Sequence, residues 1–297
     1  MCPYGQVMAS FDRVVLIFNP HSTGDAQGKA QELRDELTER VPGLLVELVP
    51  TQHAGHARDL ARDAAANGRP LIVSVSGDGG YNEVVDGAMR AGNDNAACAV
   101  LAAGKANDHR RTTREQPLAD AIVIGKVSRI DLLRLTVDGA SRYAHSYIGL
   151  GLTPVLAVGL EKGGKGSLRE LVTTVRAFAR FRPFEIERPD RTRERFDSIV
   201  FANINQMAKV VTLGEDKGRP DDGAFEVITI KHAPKWKILG VALKASLQGL
   251  GPQPTATDYV FTTIKAMPVQ LDGEVVDLDA AAQVRIDIAA KALRTVL

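Results

Sequence analysis

The chain has 297 residues and a mass of 31.9 kDa, room for one large or two ordinary domains with a sizeable core. With 44% hydrophobic and 25% charged residues it reads as an ordinary globular protein, and two cysteines, Cys2 and Cys98, argue against a disulfide framework and for a reducing compartment. Lys plus Arg 37 against Asp plus Glu 36 leaves a net charge of +1, which speaks against the global basic field of a non-specific nucleic-acid binder. No apolar run approaches the roughly 18 residues of a membrane span, and Met1 to Ser10 lacks the basic-then-apolar order of a secretory signal. The expectation is a cytoplasmic protein whose membrane contact is peripheral.

In chain order, Val14–Phe18 is a short β-branched run stopped by Asn19-Pro20, and Ala26 to Arg40 places Ala30, Leu33 and Leu37 at helical spacing. Leu44–Val49 repeats the strand signal, His56 to Asn67 is Ala-rich and helical up to Gly68, and Leu71–Val75 is another buried strand. Glu83 to Met89 is helical in character and Ala97 to Ala102 is a fourth strand. Strands apolar on both faces and separated by helices predict a parallel sheet covered on both sides. Past about Arg129 the pattern turns antiparallel. Leu133–Val137, Phe225–Ile230 and Val284–Ile288 alternate or nearly so, Asp138-Gly139 and Asp272-Gly273 read as hairpin turns, and one helical segment, Ser167 to Phe181, interrupts them. The expected fold is an α/β domain over 11–128 followed by a mainly antiparallel β-rich domain over 129–288, with 289–297 returning to the first.

The chemistry is expected where strands of the first domain end. Leu71–Val75 runs into Ser76-Gly77-Asp78-Gly79-Gly80-Tyr81-Asn82-Glu83, so three glycines crowd a turn that opens a helix. Glycine lets backbone approach a ligand, and a helix start presents N–H groups with partial positive charge, which together make a phosphate cradle. Asn19-Pro20-His21-Ser22-Thr23-Gly24 and Ala103-Gly104-Lys105-Ala106-Asn107-Asp108 follow two other strands. In a parallel sheet all three turns lie at one edge, where nucleotides bind. Each turn alone is explained as well by a tight connection; the series is what points to a nucleotide. Asp78 is repelled by phosphate unless a metal ion or a proton-transfer role explains it.

Ser76 to Val84 resembles the G-G-D-G-T-x-N-E-V signature of the diacylglycerol kinase catalytic-domain family, which includes soluble bacterial lipid kinases and the sphingosine and ceramide kinases. Asn19 to Gly24 resembles the family's N-P-x-S-G opening and Gly104 to Asp108 its G-T-x-N-D. Ile130-Asp131-Leu132, Ile148 to Gly151, Asp221-Asp222-Gly223 and Leu271-Asp272-Gly273-Glu274 match further family positions, so the similarity spans roughly residues 12 to 297. The resemblance implies an NAD kinase-like α/β domain and a β-rich domain with ATP in the cleft between them and a lipid hydroxyl, presented at a membrane surface, as acceptor. It places Asn19, Thr51, Ser76, Gly77, Asp78, Gly79, Gly80, Asn82, Gly104, Lys105 and Asn107 at ATP. It makes Glu274 the base, with Asp78 as second candidate, and gives Asp222 and the carbonyls of Arg219 and Ala224 to a structural Mg2+. A homodimer is left open.

Two threonines of the family's motifs are missing: Gly80 and Lys105 stand in their places. Lys105 offers a point charge to phosphate instead. Two other readings stay open, an NAD kinase, which shares G-G-D-G, and a nucleotide-responsive lipid-binding protein that has lost transfer. The Asn107-Asp108 turn and the Asp272-Gly273-Glu274 end favour the lipid kinase. Gly159 to Gly166 falls one residue short of a P-loop, and His53 with His56 lacks a third metal ligand.

Overall fold

Four parallel strands organise the N-terminal part of the protein in a computed structural model, which describes residues 10–22, 24–103, 116–151, 183–203, 206–207, 211–212, 221–234 and 252–296. They are β1 (Arg13–Phe18), β2 (Leu45–Pro50), β3 (Pro70–Ser76) and β4 (Ala97–Ala102), side by side in the order β2-β1-β3-β4. Helices α1 (Ala26–Arg40), α2 (His56–Ala65) and α3 (Asp78–Ala91) connect them, and a short helix, Leu118–Ile124, comes later. Val14, Leu16, Leu71 and Val73 pack against Ala30, Leu33 and Leu37 of α1 and Ile122 of the short helix. Val15, Ile17 and Ile72 alternate to the other face and are buried as well, with α2 and α3 against it. Burial on both faces is why these strands read as continuous apolar runs.

Two helix boundaries differ from the sequence reading. The second helix stops at Ala65, and the third begins at Asp78 with Gly77 as its N-cap, five residues ahead of Glu83. Gly79 and Gly80 are therefore inside the first helical turn. Low intrinsic helix propensity hides them from a periodicity reading, although a first turn tolerates glycine when packing fixes the rest of the helix. Further along, α2 and α3 meet backbone to backbone. A Cβ on Gly87 would lie 2.1 Å from the Arg58 carbonyl oxygen, and α2 turns Ala57, Ala61 and Ala65 inward. Buried Asp86 seals the crossing by accepting from Arg58 Nε at 2.7 Å and pairing with Arg90 at 2.9 Å.

The remaining strands are β5 (Val127–Val137), β6 (Ala140–Ala144), β7 (Tyr147–Gly151), β8 (Phe184–Glu187), β9 (Arg193–Ala202), β10 (Gln206–Met207), β11 (Val211–Thr212), β12 (Phe225–Lys231), β13 (Thr255–Ala256), β14 (Asp258–Thr263), β15 (Met267–Leu271), β16 (Glu274–Leu278) and β17 (Gln283–Val296). Except for the small β10-β11 ribbon they form one 11-stranded sheet, in which β9 pairs antiparallel with β7, β8 and β12. Asp138-Gly139 joins β5 to β6 and Asp272-Gly273 joins β15 to β16. All four residues have positive φ (48°, 89°, 46° and 97°), as a two-residue type I′ hairpin demands. Leu135, Ile148, Ile199, Phe201, Phe261 and Val269 centre the second core. The expected helix at 167–181 and the loop at 159–166 lie outside the described residues. The chain divides into two compact units, one reaching Ile130 and regaining the C-terminal stretch from Lys291, the other Asp131–Ala290.

Candidate functional site

Chain order and sheet order diverge at β1: the connection to β2 goes to one side and the return to β3 to the other. Crevices at such switch points, beyond the carboxyl ends of the strands, are where open α/β sheets take ligands. A cavity of about 460 Å3 lies there, its walls including Asn19, His21, Ser22, Thr51, His53, Ser76, Gly77 and Gly80. Backbone bonds knit the walls together. Thr51 N–H donates to Phe18 O at 2.8 Å and Ala103 N–H to Ser76 O at 3.0 Å, while Gly24 approaches β4 so closely that a Cβ would fall 1.8 Å from the Ala103 oxygen. Asn19 shapes its own turn, because its Oδ1 accepts the N–H of His21 at 2.9 Å.

At the start of α3 the first intrahelical bond runs from Tyr81 N–H to Gly77 O at 3.1 Å, so the amides of Gly79 and Gly80 precede the helical ladder. Of the residues expected at the nucleotide, Asn19, Thr51, Ser76, Gly77 and Gly80 line the cavity. Asp78 and Gly79 occupy the same helical turn outside that lining, and Asn82 is buried at 1% exposure. Gly104, Lys105 and Asn107 lie outside the described residues. The sequence reading passed over Lys29, whose Nζ donates to the carbonyl of Ala102 at 2.8 Å and brings a cation to the end of β4. His53 and His56 stack with ring centroids 4.7 Å apart, and His56 Nδ1 accepts Gln52 N–H at 3.1 Å. That bond leaves the proton of neutral His56 on Nε2 and makes the ring part of the cavity wall's scaffold.

In the second unit Glu274 opens β16 directly after the Asp272-Gly273 turn. Asp272, 2% exposed, accepts three successive backbone N–H groups, from His145 (2.6 Å), Ser146 (3.1 Å) and Tyr147 (2.8 Å). A carboxylate so solvated by amides is stable without water and fixes the turn. Glu274 accepts a 2.9 Å hydrogen bond from Arg142 Nη1 on β6, with both side chains partly exposed. Arg142 is the second residue that sequence reasoning missed, since nothing local in Ala140–Ala144 announces a partner 132 positions away.

The loop proposed for a structural cation is described from residue 221 onward. Asp222 Oδ1 accepts the N–H of Ala224 at 3.1 Å, Gly223 N–H donates to buried Asp131 at 2.7 Å, and Arg219 lies outside the described residues. Asp222 and the Ala224 carbonyl are the described members of that set, and a hard divalent ion takes six or so oxygens in all. Among the described residues no cluster of three metal-binding side chains occurs. Burial, with Asp222 adding repulsion, pushes the Glu226 carboxyl above the usual glutamate range.

A parallel α/β unit with a switch-point cavity, followed by a large antiparallel sheet, defines a two-unit α/β-plus-β fold. Within it, the model of the diacylglycerol kinase catalytic domain matches residues 13–135, which bears out over that stretch the resemblance read from the motifs. A solved structure from Bacillus anthracis str. Sterne, provisionally named a diacylglycerol kinase, is similar with a TM-score of 0.71 at 19% identity, over 96% of this chain and 97% of that one. Another, titled as a diacylglycerol kinase of the same organism, gives 0.69 at 18% identity over 96% and 97%. At such identities these likenesses establish the shared fold. No curated protein sequence matches the chain significantly. Among the described residues no helix is long and apolar enough to cross a membrane.

Proposed function

We propose that the protein is an ATP-dependent lipid kinase that transfers the γ-phosphate to a hydroxyl of diacylglycerol or a related lipid at a membrane surface. The observation that carries this reading is the switch-point cavity, bordered by Asn19, Thr51, Ser76, Gly77 and Gly80, inside the stretch that matches a kinase catalytic domain. Phosphoryl transfer asks the protein mainly for positioning and charge stabilisation. The amides of Gly79 and Gly80 and the α3 dipole receive phosphate oxygens, and the Asn19 turn closes on them from β1. Magnesium carried in on ATP offsets charge on the transferred and leaving groups. Glu274 takes the proton of the acceptor hydroxyl as its oxygen bonds to the γ-phosphorus and the bond to the β–γ bridging oxygen breaks; Asp78 is the second candidate for that proton. Arg142 orients Glu274.

Labelled ATP offered with vesicles containing diacylglycerol, monoacylglycerol or sphingosine, and with NAD as soluble acceptor, tests the reading. Magnesium-dependent label in the lipid phase, lost in Glu274→Gln or Asp78→Asn, is expected. Label confined to NAD would replace the reading by an NAD kinase. ATP-induced stabilisation without transfer to any acceptor would leave a nucleotide-responsive binding protein.

A further inference from the structure

Residue 76, at the end of β3, and residue 80, in the first turn of α3, compete for one volume. A Cβ placed on Gly80 would lie 2.6 Å from Ser76 Oγ and 2.8 Å from Ser76 Cβ. Both distances are well inside the roughly 3.5 Å at which non-bonded carbon atoms rest. Rotation about χ1 of Ser76 carries Oγ away and leaves Cβ where it is. The strand does not yield easily either, because the Ser76 carbonyl accepts Ala103 N–H at 3.0 Å and Ser76 is in register with Ala102 of β4. This backbone therefore admits a side chain at one of the two positions. The chain answers with serine at 76 and glycine at 80, the reverse of a G-G-D-G-T signature, which has glycine first and threonine fifth.

The serine hydroxyl is also well placed to work. Ser76 Oγ donates to the Gly77 carbonyl at 2.9 Å and lies 2.7 Å from Ser74 Oγ. With its single proton committed to Gly77, it accepts from the Ser74 hydroxyl, so the two serines form a short relay. Ser74, Ser76, Gly77 and Gly80 all line the switch-point cavity. We propose that positions 76 and 80 are a coupled pair in which Ser76 supplies, from the strand, the hydroxyl that the signature carries on the helix. On nucleotide binding the Ser76 O–H swings from the Gly77 carbonyl to a phosphate oxygen while Ser74 keeps donating to it. This inference deepens the kinase reading and rests on its nucleotide site.

Four variants, Gly80→Thr, Ser76→Ala, Ser76→Gly/Gly80→Thr and Ser76→Gly/Gly80→Val, test it by thermal melting with and without ATP and magnesium. Without nucleotide, Gly80→Thr lowers the melting temperature by about 4 °C or more through overpacking, and both double variants recover most of the loss. A Gly80→Thr variant as stable as the parent protein, or double variants no better than it, overturns the coupling. With ATP, Ser76→Ala binds about tenfold more weakly, as for a lost hydrogen bond to a charged group. The threonine double variant recovers that affinity and the valine one does not. Unchanged affinity in Ser76→Ala, or rescue by valine as good as by threonine, overturns the role of the hydroxyl. Absence of any ATP effect on the parent protein overturns the nucleotide site itself and the hydroxyl's role with it, while the melts without nucleotide still decide the steric coupling.

Discussion

The two units hold their candidate reactive groups by opposite means. In the first, the proposed phosphate-binding groups are backbone amides, and Gly24 and Gly80 leave out side chains where strand ends and helix start converge. In the second, Glu274 is held by side chains, with Asp272 gathering three amides beneath its turn and Arg142 gripping its carboxylate. A site built from backbone is broken by adding atoms, and a site built from side chains by removing them. The first kind of change is expected to act on nucleotide affinity, the second on stability and turnover.

The largest effect is expected at Asp272. Asp272→Ala strands two buried N–H groups and a third that is partly buried, and removes a hydrogen-bonded buried carboxylate, a loss of about 3 kcal/mol or more that thermal melting reads as a fall of many degrees. Next comes Glu274→Gln, which keeps shape and hydrogen-bonding capacity. Transfer drops by about 100-fold or more while ATP affinity stays at the parent value, a split that steady-state kinetics and calorimetry separate. Gly24→Ala sharpens the contrast from the other unit. Its new Cβ meets the Ala103 carbonyl oxygen, so the turn after β1 shifts and ATP affinity falls by about tenfold or more, read by titration calorimetry.

The smallest effect is a pH dependence. Burial raises the Glu226 carboxyl in the folded protein, so folding disfavours its ionised form. The stability tied to its protonated form is complete at acid pH, below the ordinary glutamate value, and is lost as pH rises through the raised folded value. Glu226→Gln accordingly stabilises the protein at pH 7 by less than about 1 kcal/mol, allowing for its partial exposure to solvent. The gain shrinks to nothing as the pH falls through the ordinary glutamate range, and melting curves across pH follow it.

Both cores were legible in sequence because each has a simple periodicity. Runs such as Val14–Phe18 are apolar on every residue because helices cover both faces, and Asp138-Gly139 and Asp272-Gly273 spell their hairpins. The turns after β1 and β3 were legible for a related reason: glycine and asparagine mark sharp reversals whatever surrounds them. The start of α3 at Asp78 was not, because the glycines that let it form also erase the helical signal. Nor were the Gly87 crossing, the Lys29 bond to β4 or the Arg142–Glu274 pair, which join residues far apart in the chain and exist only once the elements pack. The competition between Ser76 and Gly80 lies between these cases. Its two residues stand four apart in sequence, and only the geometry of a strand bending into a helix brings them into collision.

The claim on which the rest depends is that strand-end amides gather around one triphosphate, and amide hydrogen exchange with a non-hydrolysable ATP analogue and magnesium tests it directly. Slowed exchange is expected at Gly79 and Gly80 and in the turns around residues 19–22 and 51–54, with the amides of 145–147, already bonded to Asp272, unchanged. Protection confined to other segments, or none at saturating analogue, would contradict it.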